Sequence, residues 1–467
     1  MRLDLERFFE ACNPSTTIDM GNAEARKYYI DFATVRGGKV IEALKRTISR
    51  LSPNKPTCQL FTGHIGCGKS TELLRLKVEL EEDGFHVVYF QATEDLDVAD
   101  VDLTDILLAI AHQVSESLEQ SKVKLQPKGF QAFLKRTGEF LQTPIELSAE
   151  AEVAGVGIKG STEKGVEFSL PVGIGKITAK AKNSPQTRSR LRQYLEPQTT
   201  QILKFINEEI LKVATEQLKQ HGQKGLVVIV DNLDRIENKK GSSTSKLLPE
   251  YLFVDRGEQL SQLKCHVVYT VPLSLIFSNE REALKNRLGR GESPMVLPMV
   301  PVQLRDGSEC AEGITLLRQM ALARAFPDAK QEERISGVEE IFDSLETLDR
   351  LCRVSGGHVR NFLGMLYGCL READPPISRS VLERAIRKER DGLLLAIDGQ
   401  EWELLFQVVK EQQVKGDTEY QTLLRSLFVF EYLDEEGSWF CLNPLLFETD
   451  KYKVWRGNRE QGTGNGE

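Results

Sequence analysis

Residues 63–71 read GHIGCGKST, between the apolar run CQLFTG, which ends at Gly63, and a helical pattern at 70–81. The stretch satisfies G-x-x-x-x-G-K followed by Ser or Thr, in the order strand, glycine-rich turn and helix that this pattern requires. Glycines let successive backbone N–H groups turn towards one anion, and the following helix adds its positive end. The stretch therefore predicts a loop that binds phosphate groups.

Two side chains of this loop have specific predicted tasks. Lys69 is expected to reach the β- and γ-phosphates of a nucleoside triphosphate, and Ser70 is expected to ligate Mg²⁺. The predicted cofactors are ATP and Mg²⁺. The predicted nucleotide-binding residues of the loop are Gly63, His64, Ile65, Gly66, Cys67, Gly68, Lys69, Ser70 and Thr71.

A second apolar run, GLVVIVD at 225–231, ends in an acid. A buried strand there delivers Asp231 to the carboxyl edge of a parallel sheet, where it is predicted to hold Mg²⁺ opposite Ser70. The next residue is Asn232, whose amide orients water but cannot accept its proton. Asp234 is then the best available acid. This catalytic set predicts slow hydrolysis and a switch-like use of the nucleotide.

Four further residues are candidates for contacts with the γ-phosphate. Thr270 ends the apolar run CHVVYT, where it either hydrogen-bonds the γ-phosphate or the attacking water, or is an ordinary strand end. Arg287 and Arg290 close a predicted helix, and they either reach the γ-phosphate of a neighbouring subunit or form a solvated helix end. Arg360, in the stretch SGGHVR, is predicted to point back at the nucleotide from a helix that begins at the two glycines.

Five apolar runs separated by helical patterns predict an α/β fold on a parallel sheet with helices on both faces. Besides the three runs above, FHVVYFQ lies at 85–91, and MVLPMV, the fifth along the chain, lies at 295–300. Residues 142–185 have a different texture, since small apolar residues alternate with polar ones and glycine is frequent. This alternation predicts a β-hairpin insertion within the core.

The pattern changes again after the fifth run. The core and its N-terminal segment are assigned to residues 1–300, and the helical patterns at 301–396 predict an all-helical lid. Residues 397–455 carry two helical patterns and then FVFEYLDEEGSWFCLNPLL, two strands joined by a turn. That order predicts a winged-helix domain. Residues 456–467 are predicted to be a disordered tail.

Taken in order, GHIGCGKST, VVIVDNLD, Thr270 and SGGHVR resemble the motifs of the AAA+ and STAND classes of P-loop ATPase. The layout is similar to that of initiator-type and STAND proteins, in which a helical lid and then a winged helix follow the core. The string VDNLDR is similar to the DDLDR of KAP NTPases, which also carry a large insertion between their nucleotide motifs. Asn232 departs from the glutamate that AAA+ proteins usually have. The resemblance implies an ATP-gated switch that forms homo-oligomers through its arginine-finger edge.

Charge separates two hypotheses for the C-terminal unit. Between Glu401 and Asp450 the basic residues are Lys410, Lys415 and Arg425, against eleven acids. Lysine and arginine contacts with phosphates dominate DNA affinity, so contact with a partner protein is favoured over nucleic acid. The favoured function is an ATPase that controls a separate effector protein, as in bacterial signalling or anti-phage defence. The alternative is a DNA-associated ATPase of initiator or transposition-regulator type.

Composition bears on other classes of function. The net charge of −8 argues against a wholly basic nucleic-acid binder, and eight scattered cysteines without a Cys-x-x-Cys pair predict no zinc site. No apolar stretch approaches the roughly 18–20 residues that span a bilayer, which predicts a cytoplasmic protein without a membrane partner. One stretch, Lys176–Arg192, has six basic residues and no acid. It is either a solvated flank or a contact for a polyanion or an acidic protein.

Overall fold

The computed structural model describes residues 2–141, 170–240 and 246–463. Five parallel strands form one sheet in the order β2-β3-β4-β1-β5. The predicted α/β fold on a parallel sheet is confirmed, and each strand lies within its predicted apolar run. The strands are Cys58–Gly63 (β1), His86–Gln91 (β2), Leu226–Asp231 (β3), His266–Thr270 (β4) and Met295–Leu297 (β5).

The strand order brings the predicted motifs to one edge of the sheet. Every residue of β1, β3 and β4 is buried, as expected of apolar runs covered on both faces. Because the strands are parallel, their carboxyl ends meet at the same edge. The phosphate loop follows β1, Asp231 ends β3, and Thr270 ends β4 between them.

Helices cover the sheet and connect its strands. Short 3₁₀ turns interrupt them at Glu196–Gln198 and Leu233–Arg235, and π-helical turns at Thr47–Leu51, Ile206–Leu211 and Tyr251–Asp255. The α-helices up to the end of the core are Leu5–Ala11, Ala23–Arg26, Val40–Arg46, Lys69–Glu82, Ala92–Asp95, Leu103–Gln120, Lys128–Phe140, Leu170–Asn183, Pro185–Leu195, Thr199–Phe205, Lys212–Gln220, Leu248–Glu250, Gly257–Ser261, Leu273–Ile276 and Arg281–Arg287.

The prediction of a β-hairpin insertion at 142–185 is wrong where the structure describes it. Leu170–Asn183 is an α-helix. Leu170, Ile174 and Ile177 are buried in the apolar core beside the sheet, and their spacing of four and three residues is that of one helix face. The glycines between them suggested strands, but burial of this face favours the helix. Residues 142–169 lie outside the described residues.

Two arginines of the basic stretch Lys176–Arg192 are used inside the molecule. Arg188 Nη1 lies 2.6 Å from a carboxylate oxygen of Asp97, and Arg192 Nε lies 2.9 Å from one of Asp102. Both side chains are buried. These ion pairs hold the helix that carries the arginines against the segment after β2, so neither arginine belongs to an exposed surface for a polyanion.

The lid is helical, as predicted, and the N-terminal segment packs on it. Phe8, Cys12 and Phe32 lie in the same buried apolar cluster as Leu317 and Phe362 of the lid. The sequence grouped the N-terminal segment with the sheet domain. In the structure this segment also shares a hydrophobic core with the lid. The lid helices are Ala311–Ala325, Gln331–Arg334, Val338–Ile341, Leu345–Ser355, Val359–Glu372 and Arg379–Leu394.

The C-terminal unit contains two helices and then an antiparallel hairpin, the order from which a winged helix was predicted. The hairpin consists of Val429–Asp434 (β6) and Gly437–Leu442 (β7). The two helices before the hairpin are Gly399–Glu411 and Thr418–Arg425, and the helices Pro444–Phe447 and Asp450–Thr463 follow it. None of the helices that the structure describes is long and apolar enough to cross a bilayer.

The predicted disordered tail at 456–467 begins too early. The last helix continues to Thr463, and residues 464–467 lie outside the described residues. Trp455 stacks on Phe406 with ring centroids 4.6 Å apart, which fixes the first half of this helix. Extending a helix from a fixed turn costs little, so the helix runs on into the polar residues that follow.

Candidate nucleotide site

The phosphate loop has a backbone that requires glycine. Gly66 has a φ of +91°, in the left-handed region that L-residues rarely adopt. A Cβ atom there would lie 2.8 Å from His358 Nε2 and 2.9 Å from the Cβ of Arg360. Glycine at this position therefore allows both the turn of the loop and its close approach to the lid.

The loop forms one wall of a cavity of about 340 Å³, within the usual size range of small-molecule sites. The rest of the lining includes Tyr28 and Phe32 of the N-terminal segment and Met320 and Leu363 of the lid. Apolar walls suit a nucleotide base, while the loop suits phosphates. The loop residues that line the cavity are Ile65, Gly66, Cys67, Gly68, Lys69, Ser70 and Thr71.

Lys69 is buried and forms an ion pair within the site. Its Nζ lies 2.9 Å from Asp234 Oδ2, and it donates hydrogen bonds to the backbone oxygens of Gly63 and His64 at 2.7 and 2.8 Å. Burial acts to lower the pKa of Lys69, but the charge of Asp234, the hydrogen bond to it and the other nearby groups together outweigh burial, and the pKa is raised. Lys69 is therefore a cation whose counter-ion is Asp234, and phosphate oxygens would compete with that carboxylate.

Asp231 and Ser70 lie side by side at the edge of the sheet. Burial, followed by the charge of Asp234, raises the pKa of Asp231, while a hydrogen bond from the Ser70 hydroxyl acts to lower it. Tyr89 Oη also donates to Asp231 Oδ2 at 2.8 Å. A hydroxyl beside a carboxylate suits Mg²⁺, which typically takes few protein ligands and completes its shell with water and phosphate oxygens.

Thr270 and Asn232 are both engaged by neighbours. The Thr270 hydroxyl accepts a hydrogen bond from the backbone N–H of Leu233 at 2.9 Å, and Thr270 does not line the cavity. It thereby holds the turn that carries Asn232, whose amide nitrogen donates to Gln91 Oε1 at 2.6 Å. Asn232 and Gln91 both line the cavity, so this amide pair is placed to orient water there.

Arg360 reaches the cavity from the lid. It lines the cavity together with the phosphate loop, and its backbone N–H donates to the carbonyl of Gly66 at 3.1 Å. Burial, and then repulsion from Arg235, lowers the pKa of the Arg360 guanidinium, which remains charged at neutral pH. The structure therefore brings Arg360 beside the phosphate loop, where the sequence placed it.

Arg287 and Arg290 lie away from the cavity of their own chain. Arg290 donates to the backbone oxygens of Ser261 and Pro56, and Pro56 precedes β1 at the opposite edge of the sheet. Arg287 Nη1 lies 3.3 Å from the backbone oxygen of Val254. Their predicted reach to a neighbouring subunit's nucleotide stays a prediction.

Sequence reasoning did not find the contribution of the N-terminal segment to the site. Arg36 is buried, lines the cavity, and donates through Nη2 to the backbone oxygen of Cys67 at 2.8 Å. Tyr29 Oη donates to Glu72 Oε1 at 3.0 Å, which ties the segment to the helix after the loop. No motif marks these residues. The only signal is a cluster of aromatic residues, YYIDF at 28–32, in a stretch without helical periodicity.

His64 lies behind the loop, in contact with the C-terminal hairpin. Its Nε2 accepts a hydrogen bond from the backbone N–H of Glu431 at 3.0 Å. His358, at the start of the lid helix, donates from Nε2 to the backbone oxygen of Ile65 at 2.8 Å. The ring of Phe430 packs against both imidazoles, with centroids 5.9 and 5.7 Å apart. The loop is thus bonded to both the lid and the hairpin.

These contacts are made by neutral imidazoles. Burial lowers the pKa of His64 to about 3 and that of His358 to about 4, so both rings are uncharged near neutral pH. A neutral ring has one nitrogen that donates and one that accepts, as the two observed hydrogen bonds require. Neither ring therefore changes its charge across the physiological range of pH.

Glu431 in this contact makes stability depend on pH. Its side chain is 1% exposed, and burial raises its pKa from 4.5 to about 7. A hydrogen bond from Ser438 acts to lower the pKa but is outweighed by burial. The folded state holds a proton that the unfolded state releases, so the free energy of unfolding falls as pH rises between these two values. Glu431→Gln is expected to remove this slope and to stabilise the protein by about 3 kcal/mol at about pH 8.

Urea unfolding at about pH 5 and about pH 8 measures the effect. Glu435→Gln is the matched control, because Glu435 is exposed in the turn of the same hairpin. An unchanged slope in Glu431→Gln would show that Glu431 does not hold its proton in the folded state.

The sheet, the glycine loop after β1 and the acid that ends β3 define a P-loop NTPase domain. Residues 38–253 match the model of the KAP family P-loop domain, and this range contains both the loop and Asp231. The match confirms the predicted recognition of a P-loop NTPase whose second motif is like that of KAP proteins. No curated protein matches the chain significantly.

The chain is also similar to solved structures at low identity. The ORC2 protein of Aeropyrum pernix, in ADPNP-ADP complexes, is 12% identical over 90% of this chain and 93% of that one, with a TM-score of 0.36. Cdc6p of Pyrobaculum aerophilum is 10% identical over 93% and 94%, with a TM-score of 0.38. A Walker-type ATPase of Pyrococcus abyssi is 12% identical over 87% and 93%, with a TM-score of 0.37. Likeness at this level carries no argument about function.

Proposed function

We propose that this protein is a regulatory ATPase of the AAA+ and STAND type, which binds ATP with Mg²⁺ and uses the nucleotide to set its conformation. The observation that carries the proposal is the double attachment of the phosphate loop. Ile65 is bonded to His358 of the lid, and His64 to the hairpin at Glu431. Movement of the loop on nucleotide exchange would therefore shift both the lid and the C-terminal hairpin.

Slow hydrolysis is part of this proposal. Asn232 stands beside Asp231 and is paired with Gln91, so the two amides orient water without removing its proton. Asp234 is the candidate proton acceptor, but it is the counter-ion of Lys69 and becomes available only after phosphates replace it. Long occupancy by ATP suits a switch better than rapid turnover does.

The proposed binding roles follow the geometry of the cavity. Lys69 and the backbone N–H groups of the loop hold the phosphates, and Ser70 and Asp231 hold Mg²⁺. The N-terminal segment and the lid enclose the base. We assign residues 1–300 to the core, 301–396 to the lid and 397–455 to the winged helix.

We propose that the switch acts in the cytoplasm as a homo-oligomer and controls a separate protein. Arg287 is half-exposed, which leaves it accessible to the nucleotide of a neighbouring subunit. The acids of the C-terminal unit do not favour DNA, and Arg188 and Arg192 of the basic stretch are engaged in ion pairs within the chain. A role in bacterial signalling or anti-phage defence suits an ATPase whose effector is another polypeptide.

Turnover and particle size test this function. The protein is expected to bind Mg-ATP, to hydrolyse it slowly, and to assemble when ATP is bound, with no response to duplex DNA. Light scattering with ADP and with a non-hydrolysable ATP analogue measures assembly, and phosphate release with and without DNA measures turnover. Turnover that rises with DNA and falls steeply with salt would instead favour the initiator-type or transposition-regulator alternative.

A further inference from the structure

Arg235 lines the cavity, but none of the sequence motifs assigns it a role. It closes the turn Leu233–Arg235 after β3, directly after Asp234, and lines the cavity with Lys69. Its side chain is exposed. Within the described residues, no ion pair or hydrogen bond engages its guanidinium group.

The cavity therefore holds more cation charge than its carboxylates neutralise. Lys69 has Asp234 as a partner, while Arg235 from the core and Arg360 from the lid have no carboxylate within ion-pair distance among the described residues. Their mutual repulsion contributes to the lowered pKa of Arg360. Two guanidinium groups that face one cavity repel each other unless an anion lies between them.

We propose that Arg235 and Arg360 bind the terminal phosphate group of ATP from two sides, Arg235 from the core and Arg360 from the lid. The γ-phosphoryl group spreads its charge over three equatorial oxygens, and a guanidinium fork can engage two oxygens at once. Arg235 would then supply within one chain the charge stabilisation that many related enzymes take from a neighbouring subunit. This role rests on the proposed function, since it requires ATP in the cavity.

The chemical step leaves the arginine unchanged. A water oxygen forms a bond to the γ-phosphorus, the bond from that phosphorus to the β–γ bridging oxygen breaks, and ADP leaves with that electron pair. The proton of the water passes to Asp234 or to the departing phosphate, and is then released to solvent. Arg235 gains and loses no proton, because a guanidinium group stays protonated in proteins. It stabilises the charge on the transferred group.

The role predicts that Arg235 distinguishes ATP from ADP. Arg235→Ala is expected to weaken binding of a non-hydrolysable ATP analogue about tenfold and to lower kcat about a hundredfold or more, with ADP affinity unchanged. Arg235→Lys keeps the charge but not the forked guanidinium group. Its affinity for the ATP analogue and its kcat are therefore expected to lie between those of Arg235→Ala and those of the unmodified protein. Arg50→Ala is the control, since Arg50 is exposed and does not line the cavity.

Calorimetry with ADP and with the ATP analogue, together with phosphate release, separates the outcomes. An ATP-to-ADP affinity ratio and a kcat in Arg235→Ala equal to those of Arg50→Ala would overturn the role. Equal losses of ADP and ATP binding would also overturn it, because they would indicate a general effect on the site. Failure of the unmodified protein to bind either nucleotide would contradict the proposed function itself. The Arg235 role is supported only when ADP binding is kept and ATP binding is lost.

Discussion

Replacing Lys69 with alanine is expected to abolish nucleotide binding, with an affinity for Mg-ATP at least about a hundredfold lower. The ammonium group is buried at the base of the phosphate loop and lies within the cavity wall. Because Lys69 is buried, its contacts with phosphate oxygens would be only weakly screened by solvent. Calorimetric titration with Mg-ATP measures the loss.

The same substitution is expected to destabilise the fold. Without Lys69, the buried carboxylate of Asp234 keeps no cation at 2.9 Å, and breaking a buried pair in this way costs about 3–5 kcal/mol. Lys69→Ala combined with Asp234→Asn removes the unpaired charge as well. The double variant should regain most of the lost stability in urea unfolding without regaining ATP binding.

Asp234→Asn alone provides the matched comparison. Phosphates no longer compete with a carboxylate for Lys69, so ATP is expected to bind about three- to tenfold more tightly while hydrolysis slows. Tight ATP binding by Lys69→Ala would refute the assignment of the phosphate loop. Weaker ATP binding by Asp234→Asn would show that Asp234 supports the nucleotide instead of competing with it.

The sheet and the phosphate loop could be predicted from the sequence because each depends on local signals. Apolar runs such as 226–231 are long enough to identify as buried strands, and the glycine and lysine spacing of the loop fits one known geometry. The placement of Asp231 beside Ser70 follows from these two elements alone, because parallel strands end at one edge.

Contacts between distant segments could not be predicted in this way. Arg36 reaches Cys67, and Glu431 reaches His64 across most of the chain length, but no spacing rule connects these residues. Each contact joins a side chain to a backbone group, and backbone groups leave no trace in the sequence of side chains. The cavity walls from the N-terminal segment were missed for the same reason.

Local patterns gave a wrong prediction at residues 170–183 and left the role of Thr270 open. Small residues and glycines at 170–183 alternate as in a strand, yet tertiary burial of Leu170 and Ile174 selects a helix. Thr270 ends a strand at the edge where the motifs meet, and its hydroxyl accepts a hydrogen bond from the backbone of Leu233, while its predicted contact with the γ-phosphate or the attacking water stays a prediction. Which way a side chain turns at a strand end depends on its neighbours, and a single sequence does not reveal them.

Replacing Gly357 with alanine is expected to have the largest effect of any single change in the lid. Gly357 has a φ of +73°, and a Cβ atom there would overlap the backbone carbonyl of Val300. Alanine would be strained in this conformation and would also push the lid away from the end of the core. We expect the free energy of unfolding to fall by about 3–5 kcal/mol.

The displacement should also impair the nucleotide site. His358 follows directly, and its hydrogen bond to Ile65 and the approach of Arg360 to Gly66 depend on where the lid helix begins. A shift of that start would move Arg360 out of the cavity wall. Mg-ATP is therefore expected to raise the Tm of Gly357→Ala by much less than it raises the Tm of the unmodified protein.

Gly364 offers a control on the same helix, Val359–Glu372, because a Cβ atom there would meet no other atom within 4 Å. Gly364→Ala is expected to stabilise the protein by about 0.5–1 kcal/mol and to leave the Tm shift with Mg-ATP unchanged. Thermal unfolding of both variants, with and without Mg-ATP, makes the comparison. If Gly357→Ala behaved like Gly364→Ala, the start of the lid would not be fixed against Val300. The link from the phosphate loop through His358 to the lid would then lose its structural basis.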